Sequence, residues 1–313
     1  MKKITISILK TLSIALAQAF VVSAAYALPT QTWVSGFGND LNGNTCTFTS
    51  PCKTFAYALN QTAAGGEISI DSPGEFGVVT INKSITINAL GALGSIVVPS
   101  GANGITVAAA PTDIVILRGL TINGGGVGAN GISFTSGGRL HVENCTIYRM
   151  VYEGIQFSPS AVSALFVNNL SVRSNTTGAI YIAPQATGSA VVNINNLKSE
   201  ANARAVRADD RSTVIVRNSI ASGTFAGSNF SAVSLANGIV NYTLENSTAS
   251  DAPNGGVYVS GTNATMQISN VTSTRNGTGL LILNGGKIIS SGNNRVFGNL
   301  IVDGTPTLVK GQL

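Results

Sequence analysis

The sequence predicts an all-β protein, a parallel β-helix of about ten coils that is covered at its amino-terminal end by one short helix. Apolar anchors recur about every 25 residues, and each copy holds short strands in which apolar and polar residues alternate. No copy carries the apolar stripe of an amphipathic helix. Because a unit of this size cannot bury its own apolar face, the copies are expected to stack into one solenoid.

The repeat is defined by seven apolar anchors that span 149 residues in six steps: Ile132, Ile155, Ile180, Val206, Val233, Val257 and Leu281. Side chains alternate between the two faces of a strand, so the residue after each inward anchor points outward. This predicts an outward column along the solenoid, formed by Ser133, Gln156, Tyr181, Arg207, Ser234, Tyr258 and Ile282.

An asparagine recurs at one place in the period. The six members are Asn144, Asn169, Asn196, Asn218, Asn246 and Asn270. Asparagine tolerates the left-handed conformation of a sharp turn, and stacked amides can bond to one another along the solenoid. We therefore interpret the six as a structural ladder rather than as catalytic residues.

Residues 1–27 have the features of a secretory signal. Lys2, Lys3 and Lys10 precede an apolar run, and Ala25-Tyr26-Ala27 fits a small-x-small cleavage site, so cleavage is expected after Ala27. The alternative is an uncleaved anchor, although the run is short for a membrane span. The mature protein is expected in the periplasm or outside the cell, with no membrane span.

Export allows a disulfide, and Cys46 and Cys52 stand close together in C-T-F-T-S-P-C.

Residues 28–66 are expected to form a cap, with the β-helix over 67–313. Ser50 as N-cap and Pro51 at the first position predict a capping helix to Ala63. The third cysteine, Cys145, is expected to be buried. Two cysteines and one histidine are too few for zinc, so no metal and no cofactor are predicted.

The motifs W-V-S-G-F-G-N-D, S-P-C-K-T-F-A-Y-A-L, V-E-N-C-T-I and S-S-G-N-N-R-V-F-G-N resemble those of bacterial secreted β-helix repeat proteins of the pectin-lyase-like superfamily. The resemblance covers essentially the whole mature chain. It implies a right-handed coil, an amino-terminal helical cap and export. It leaves activity open, because the superfamily holds lyases, hydrolases, tailspikes and members without known activity.

The residues that known chemistries of this superfamily need are missing. Pectate-lyase-like catalysis uses a carboxylate cluster that holds Ca²⁺, and polygalacturonase-like hydrolysis uses several aspartates beside a histidine and an Arg-x-Lys motif. The chain has thirteen acidic residues, one histidine, His141, and no Arg-x-Lys motif. His141 is expected on a solvated strand face, beside Arg118–Glu143 and Arg217–Glu245 pairs. These absences favour a protein that is not an enzyme.

One patch concentrates charge in a chain that has only 10% charged residues, namely R-A-V-R-A-D-D-R over 204–211. The outward column places Tyr181 and Tyr258 on either side of Arg207, with Asp209 nearby. Aromatic rings beside arginine and aspartate suit a sugar, although the same residues could form only a polar turn with local ion pairs. The candidate ligand-binding residues are Tyr181, Arg207, Asp209 and Tyr258.

The favoured interpretation is a secreted, non-catalytic β-helix protein that contacts polysaccharide or another surface through one flat face. The alternatives are a polysaccharide lyase or glycoside hydrolase with an unrecognised site, and a structural or adhesive scaffold. Without the three signal lysines, fifteen basic and thirteen acidic residues remain. That balance lacks the basic stripe of a nucleic-acid-binding protein, so nucleic acid is not an expected partner.

Overall fold

The structure, a computed structural model, describes residues 27–311 and confirms the parallel β-helix. Each strand pairs in parallel with its counterpart one coil away. One sheet has nine strands, so the solenoid makes about nine turns, close to the ten predicted. The predicted signal segment lies, except for Ala27, outside the described residues. Within 27–311, no helix is long and apolar enough to cross a membrane.

A twenty-stranded sheet wraps around two sides of the solenoid, and its strands form two stacks that share two strands of twelve residues each. The first stack contains β1 (Gln31–Ser35), β2 (Gly66–Ser72), β5 (Ile85–Asn88), β8 (Ile114–Arg118), β11 (Arg139–Glu143), β14 (Val162–Arg173), β16 (Ser189–Glu200), β18 (Ser212–Arg217), β21 (Val240–Glu245), β24 (Ala264–Ser269), β27 (Lys287–Ser290) and β29 (Leu308–Val309). The second contains the latter parts of β14 and β16 with β3 (Gly74–Glu75), β6 (Gly94–Val97), β9 (Leu120–Asn123), β12 (Thr146–Tyr148), β19 (Ile220–Ser222), β22 (Thr248–Ser250), β25 (Thr272–Thr274) and β28 (Arg295–Phe297).

The nine-stranded sheet forms the third side of the solenoid. Its strands are β4 (Val79–Ile81), β7 (Ile105–Ala108), β10 (Ile132–Ser136), β13 (Glu153–Phe157), β15 (Gly178–Ile182), β17 (Val206–Ala208), β20 (Phe230–Val233), β23 (Gly255–Ser260) and β26 (Thr278–Leu283). The core lies between the three sides. Its side chains are mostly valine, isoleucine, alanine and leucine, residue types that are often fully buried.

Two of the seven anchors were predicted in the wrong register. The inward residue beside Val206 is Phe230, not Val233, and the inward residue beside Val257 is Leu280, not Leu281. The outward column therefore contains Ser231 and Leu281 in place of Ser234 and Ile282. Both errors fall in segments with adjacent apolar residues, where a period of two does not define which face is buried.

The six predicted ladder asparagines occupy the bend between the two stacks of the twenty-stranded sheet. All six have positive φ, from 47° at Asn246 to 55° at Asn144 and 56° at Asn196. Their side chains are exposed rather than buried. The amide of Asn169 donates to Asn144 at 2.7 Å, and that of Asn270 donates to Asn246 at 2.9 Å. All six positions share the left-handed backbone bend. The hydrogen bonds between side-chain amides add contacts between neighbouring coils.

A second set of asparagines, which sequence reasoning missed, is buried at the turn that leads into the nine-stranded sheet. Asn175, Asn202, Asn229 and Asn276 are each 0% exposed. Their amides bond to backbone groups of neighbouring coils: the Oδ1 of Asn202 accepts from the backbone N–H of Asn175 at 2.9 Å. Buried backbone groups need partners, and these side chains supply them where the strands stop.

The amino-terminal cap differs from the prediction in where its helix begins. The helix α1 spans Phe55–Gln61, and Thr54 rather than Ser50 is its N-cap. Cys52 remains extended, because its N–H donates to Trp33 and its carbonyl accepts from Ser35, both at 2.9 Å. Cys52 is thus used in pairing with β1, so a helix cannot run through it from Pro51.

The expected disulfide is present between Cys46 and Cys52, and Cys145 is a buried free thiol.

The chain segment that we predicted as a separate cap also contributes a strand to the solenoid. β1 pairs in parallel with β2, so the β-helix begins at Gln31 rather than at Glu67. The helix α1 is inserted between these two strands.

Candidate functional site

The candidate binding residues converge on the outer face of the nine-stranded sheet. Its outward row runs through Gln156, Tyr181, Arg207, Ser231, Tyr258 and Leu281 in register. Inward neighbours of these residues are buried in the core, which sets the direction in which the outward side chains point. The row therefore presents Tyr181, Arg207 and Tyr258 at fixed positions on successive coils.

Asp209 holds Arg207 in place. One carboxylate oxygen accepts from Nε of Arg207 at 2.7 Å, and the other accepts from Nη2 at 3.2 Å. The hydroxyl of Tyr181 also donates to Asp209, at 2.7 Å. Burial, followed by this bond, raises the pKa of Tyr181 to about 12, so its hydroxyl stays protonated as a donor. Asp209 is 6% exposed, which places it behind the surface.

Arg204 is held by a second buried carboxylate two coils away along the chain. Its Nη2 donates to Oε1 of Glu153 at 3.0 Å, and its Nε donates to the carbonyl of Thr177 at 3.2 Å. Glu153 is 5% exposed, and its Oε2 has no hydrogen-bond partner among the described residues. Burial raises the pKa of Glu153, and the nearby Arg204 guanidinium opposes that rise. The guanidinium carbons of Arg204 and Arg207 both lie 5.6 Å from the ring centre of Tyr181.

A cleft of about 670 Å³ opens beside these two arginines. Arg204, Arg207 and Thr177 line the cleft on the coils of β15 and β17, while Tyr258 and Leu281 supply an aromatic ring and an apolar side chain on the coils of β23 and β26. The lining residues come from five successive coils, those of β15, β17, β20, β23 and β26. The cleft therefore runs along the solenoid axis, over about 20 Å at the usual strand spacing.

The four predicted residues divide into two roles. Arg207 and Tyr258 line the cleft, whereas Tyr181 and Asp209 support Arg207 from beside and behind it. The other charged residues of the patch have structural partners. Asp210 accepts from the backbone N–H groups of Leu235 and Ala236, at 3.0 and 2.7 Å.

Arg211 likewise belongs to a turn rather than to the cleft. It has a φ of 62° and donates to the carbonyls of Pro184, Gln185 and Gly188. Thus Asp210 and Arg211 form a polar turn, while Arg204 and Arg207 of the same charged run line the cleft.

His141 lies on a different side of the solenoid, in β11. Its ring stacks on that of Phe166 with the centroids 4.8 Å apart, and burial lowers its pKa. The predicted ion pairs are formed, Arg118–Glu143 at 2.9 Å and Arg217–Glu245 at 2.7 Å. Among residues 27–311, no group of three or more His, Cys, Asp or Glu side chains is placed to hold a metal ion.

The sequence analysis missed the pairing of Arg204 with Glu153. The two residues are 51 positions apart, which is two coils, so no local motif links them. A usable signal was that Glu153 stands two residues before the inward anchor Ile155 and Arg204 stands two before Val206. Both therefore flank the same sheet on nearby coils.

Comparisons with known proteins agree with this architecture. A family model described as right handed beta helix region matches residues 34–221. The crystal structure of pectate lyase Pel9A is similar, with a TM-score of 0.68 and 17% sequence identity, over 90% of this chain and 78% of that chain. At that identity the likeness concerns the fold. No curated protein matches the sequence.

Proposed function

The chain belongs to the right-handed β-helix family, and from this premise we propose that it is a secreted protein that binds polysaccharide in the cleft beside Arg204, Arg207 and Tyr258 without cleaving it. The observation that carries the proposal is the cleft itself, which is lined by two arginines on one coil and by a tyrosine ring two coils further along. A pyranose ring has apolar faces and a rim of hydroxyls, so a chain of such rings can use both the arginine donors and the tyrosine ring.

The direction of the cleft supports a chain-like ligand. Its lining comes from five successive coils, and each coil advances by about 4.8 Å. A polymer of sugar units laid along the solenoid axis would meet the two arginines on one coil and Tyr258 two coils further on, about 10 Å away. A compact small molecule would use only part of this length.

The hydrogen bonding of Asp209 and the burial of Glu153 support binding rather than catalysis. A general base must reach the proton that it removes. Both oxygens of Asp209 are occupied by Arg207 and Tyr181, and Glu153 is buried under Arg204. Neither carboxylate is presented to the cleft as an acid or a base.

One observation favours the rival proposal of a polysaccharide lyase or glycoside hydrolase. Glu153 adjoins the lining residues Thr177 and Arg204, and its pKa is raised, as in many catalytic acids. An assay for unsaturated uronate at 235 nm, together with a reducing-end assay, tests this rival. Turnover that disappears in Glu153→Gln while the protein remains folded would replace the binding proposal.

Tyr258→Ala is the sharpest test of binding, because the Tyr258 hydroxyl makes no hydrogen bond within residues 27–311 and its removal leaves no buried charge. We expect retention in affinity electrophoresis over a polysaccharide panel to weaken about tenfold. Tyr148→Ala is the matched control, since Tyr148 is also a half-buried outward tyrosine but lies in β12 on another side. Equal losses in both variants, or no retention of any polysaccharide by the wild type, would contradict the proposal.

A further inference from the structure

The charged groups around the cleft form two closed pairs. Arg207 is bonded through two nitrogens to Asp209, and Arg204 is bonded to Glu153 at 3.0 Å. Both carboxylates lie behind the surface, at 6% and 5% exposure. The two arginines are the only charged residues among the cleft lining that the structure describes. Each guanidinium therefore has its own carboxylate as counter-charge, at 2.7 Å in the Arg207–Asp209 pair and 3.0 Å in the Arg204–Glu153 pair.

This arrangement changes what the arginines can attract. A carboxylate on a ligand would approach each guanidinium but would also feel the buried carboxylate behind it, in surroundings where burial reduces screening. A ligand hydroxyl carries no such penalty. The Nη1 groups of Arg204 and Arg207 make no hydrogen bond within the described residues, so they remain as donors to neutral oxygen atoms.

We infer that the cleft selects a neutral glycan over a polyuronate, because its arginines act as charge-compensated hydrogen-bond donors. This inference rests on the proposed function and specifies the class of its ligand. Tyr181 is a positioning residue here: its hydroxyl bond to Asp209 keeps that carboxylate against Arg207. The apolar contribution of Tyr258 and Leu281 is the same for neutral and acidic sugars, so the choice between them depends on the two pairs.

The test uses polysaccharides in matched pairs, each acidic polymer beside its carboxyl-reduced form. Galacturonan, alginate and glucuronan are suitable, since reduction replaces each carboxylate with a hydroxymethyl group and preserves the linkage. For the wild-type protein we expect the reduced member of a pair to bind at least about fivefold more tightly. Binding of that member should change less than about twofold between low and high salt, because no net charge is neutralised.

Asp209→Asn provides the complementary measurement. The amide can still accept from Tyr181 or Arg207, but the guanidinium loses its counter-charge, so the affinity for the acidic member should rise roughly three- to tenfold and become salt-sensitive. The comparisons of salt dependence and of matched acidic and reduced polysaccharides use only the wild-type protein. They therefore test the inference even if Asp209→Asn fails to fold. Tighter, salt-sensitive binding of the acidic members by the wild type would overturn the inference and leave the proposed function standing. Absence of binding to both members of every pair would refute the proposed function, and the inference with it.

Discussion

Replacing one buried asparagine should destabilise the solenoid far more than replacing an exposed one. The Oδ1 of Asn276 accepts from the backbone N–H of Ala252 at 3.0 Å, and its Nδ2 donates to the carbonyl of Ala249 at 3.0 Å and to Asn299 at 3.0 Å. Asn276→Ala leaves two buried backbone groups without these partners. At about 1–3 kcal/mol for each group, the free energy of unfolding should fall by about 2–6 kcal/mol.

Asn196→Ala is the reference for that measurement. Asn196 is exposed, makes one amide bond at 3.2 Å and has a φ of 56°, so the loss should be about 1–2 kcal/mol and come mainly from the left-handed backbone. Asn196→Gly should recover much of it, because glycine adopts this conformation freely. Urea unfolding followed by circular dichroism measures all three variants. The reasoning is refuted if Asn276→Ala loses no more stability than Asn196→Ala.

Two further predictions concern titratable groups. Thiol titration of the denatured, non-reduced protein should find one thiol, that of Cys145, and the native protein should react slowly because burial raises its pKa to about 11; three thiols would mean that the bridge does not form. The raised pKa of Glu153 means that the folded state binds its proton more tightly than the unfolded state. Above pH 4.5, the ordinary value, the wild type should therefore lose stability relative to Glu153→Gln by up to about 1.4 kcal/mol per pH unit, until the pH passes the folded pKa. Equal pH slopes in urea unfolding of the two proteins would show that the pKa is not raised.

The repeat could be identified from the sequence because its cause is local. An apolar residue that alternates with polar neighbours and returns about every 25 residues has few ways to be buried, and parallel stacking is the one that fits short strands. The left-handed asparagines were also visible, since their conformation depends on the residue itself. The interpretation failed at Phe230 and Leu280, where neighbouring apolar residues allow either register.

The start of α1 could not be predicted for a related reason. Ser50 and Pro51 have the character of a helix start, but Cys52 pairs with β1, a strand that lies about twenty residues earlier in the chain. Local preference was overruled by a long-range backbone pairing and by the disulfide to Cys46. The buried asparagines were missed because burial, not composition, distinguishes Asn276 from its exposed counterparts.

The sequence by itself determined the all-β solenoid, the left-handed bends and the face on which Tyr181, Arg207 and Tyr258 stand, because these depend on spacing and on the preferences of single residues. Only the tertiary structure decided which charges meet. Arg204 and Glu153 are two coils apart, and the distance between them depends on the accumulated length of every turn between them. Charge compensation is an interaction across coils, so the electrostatic character of the cleft emerges only when the coils are stacked.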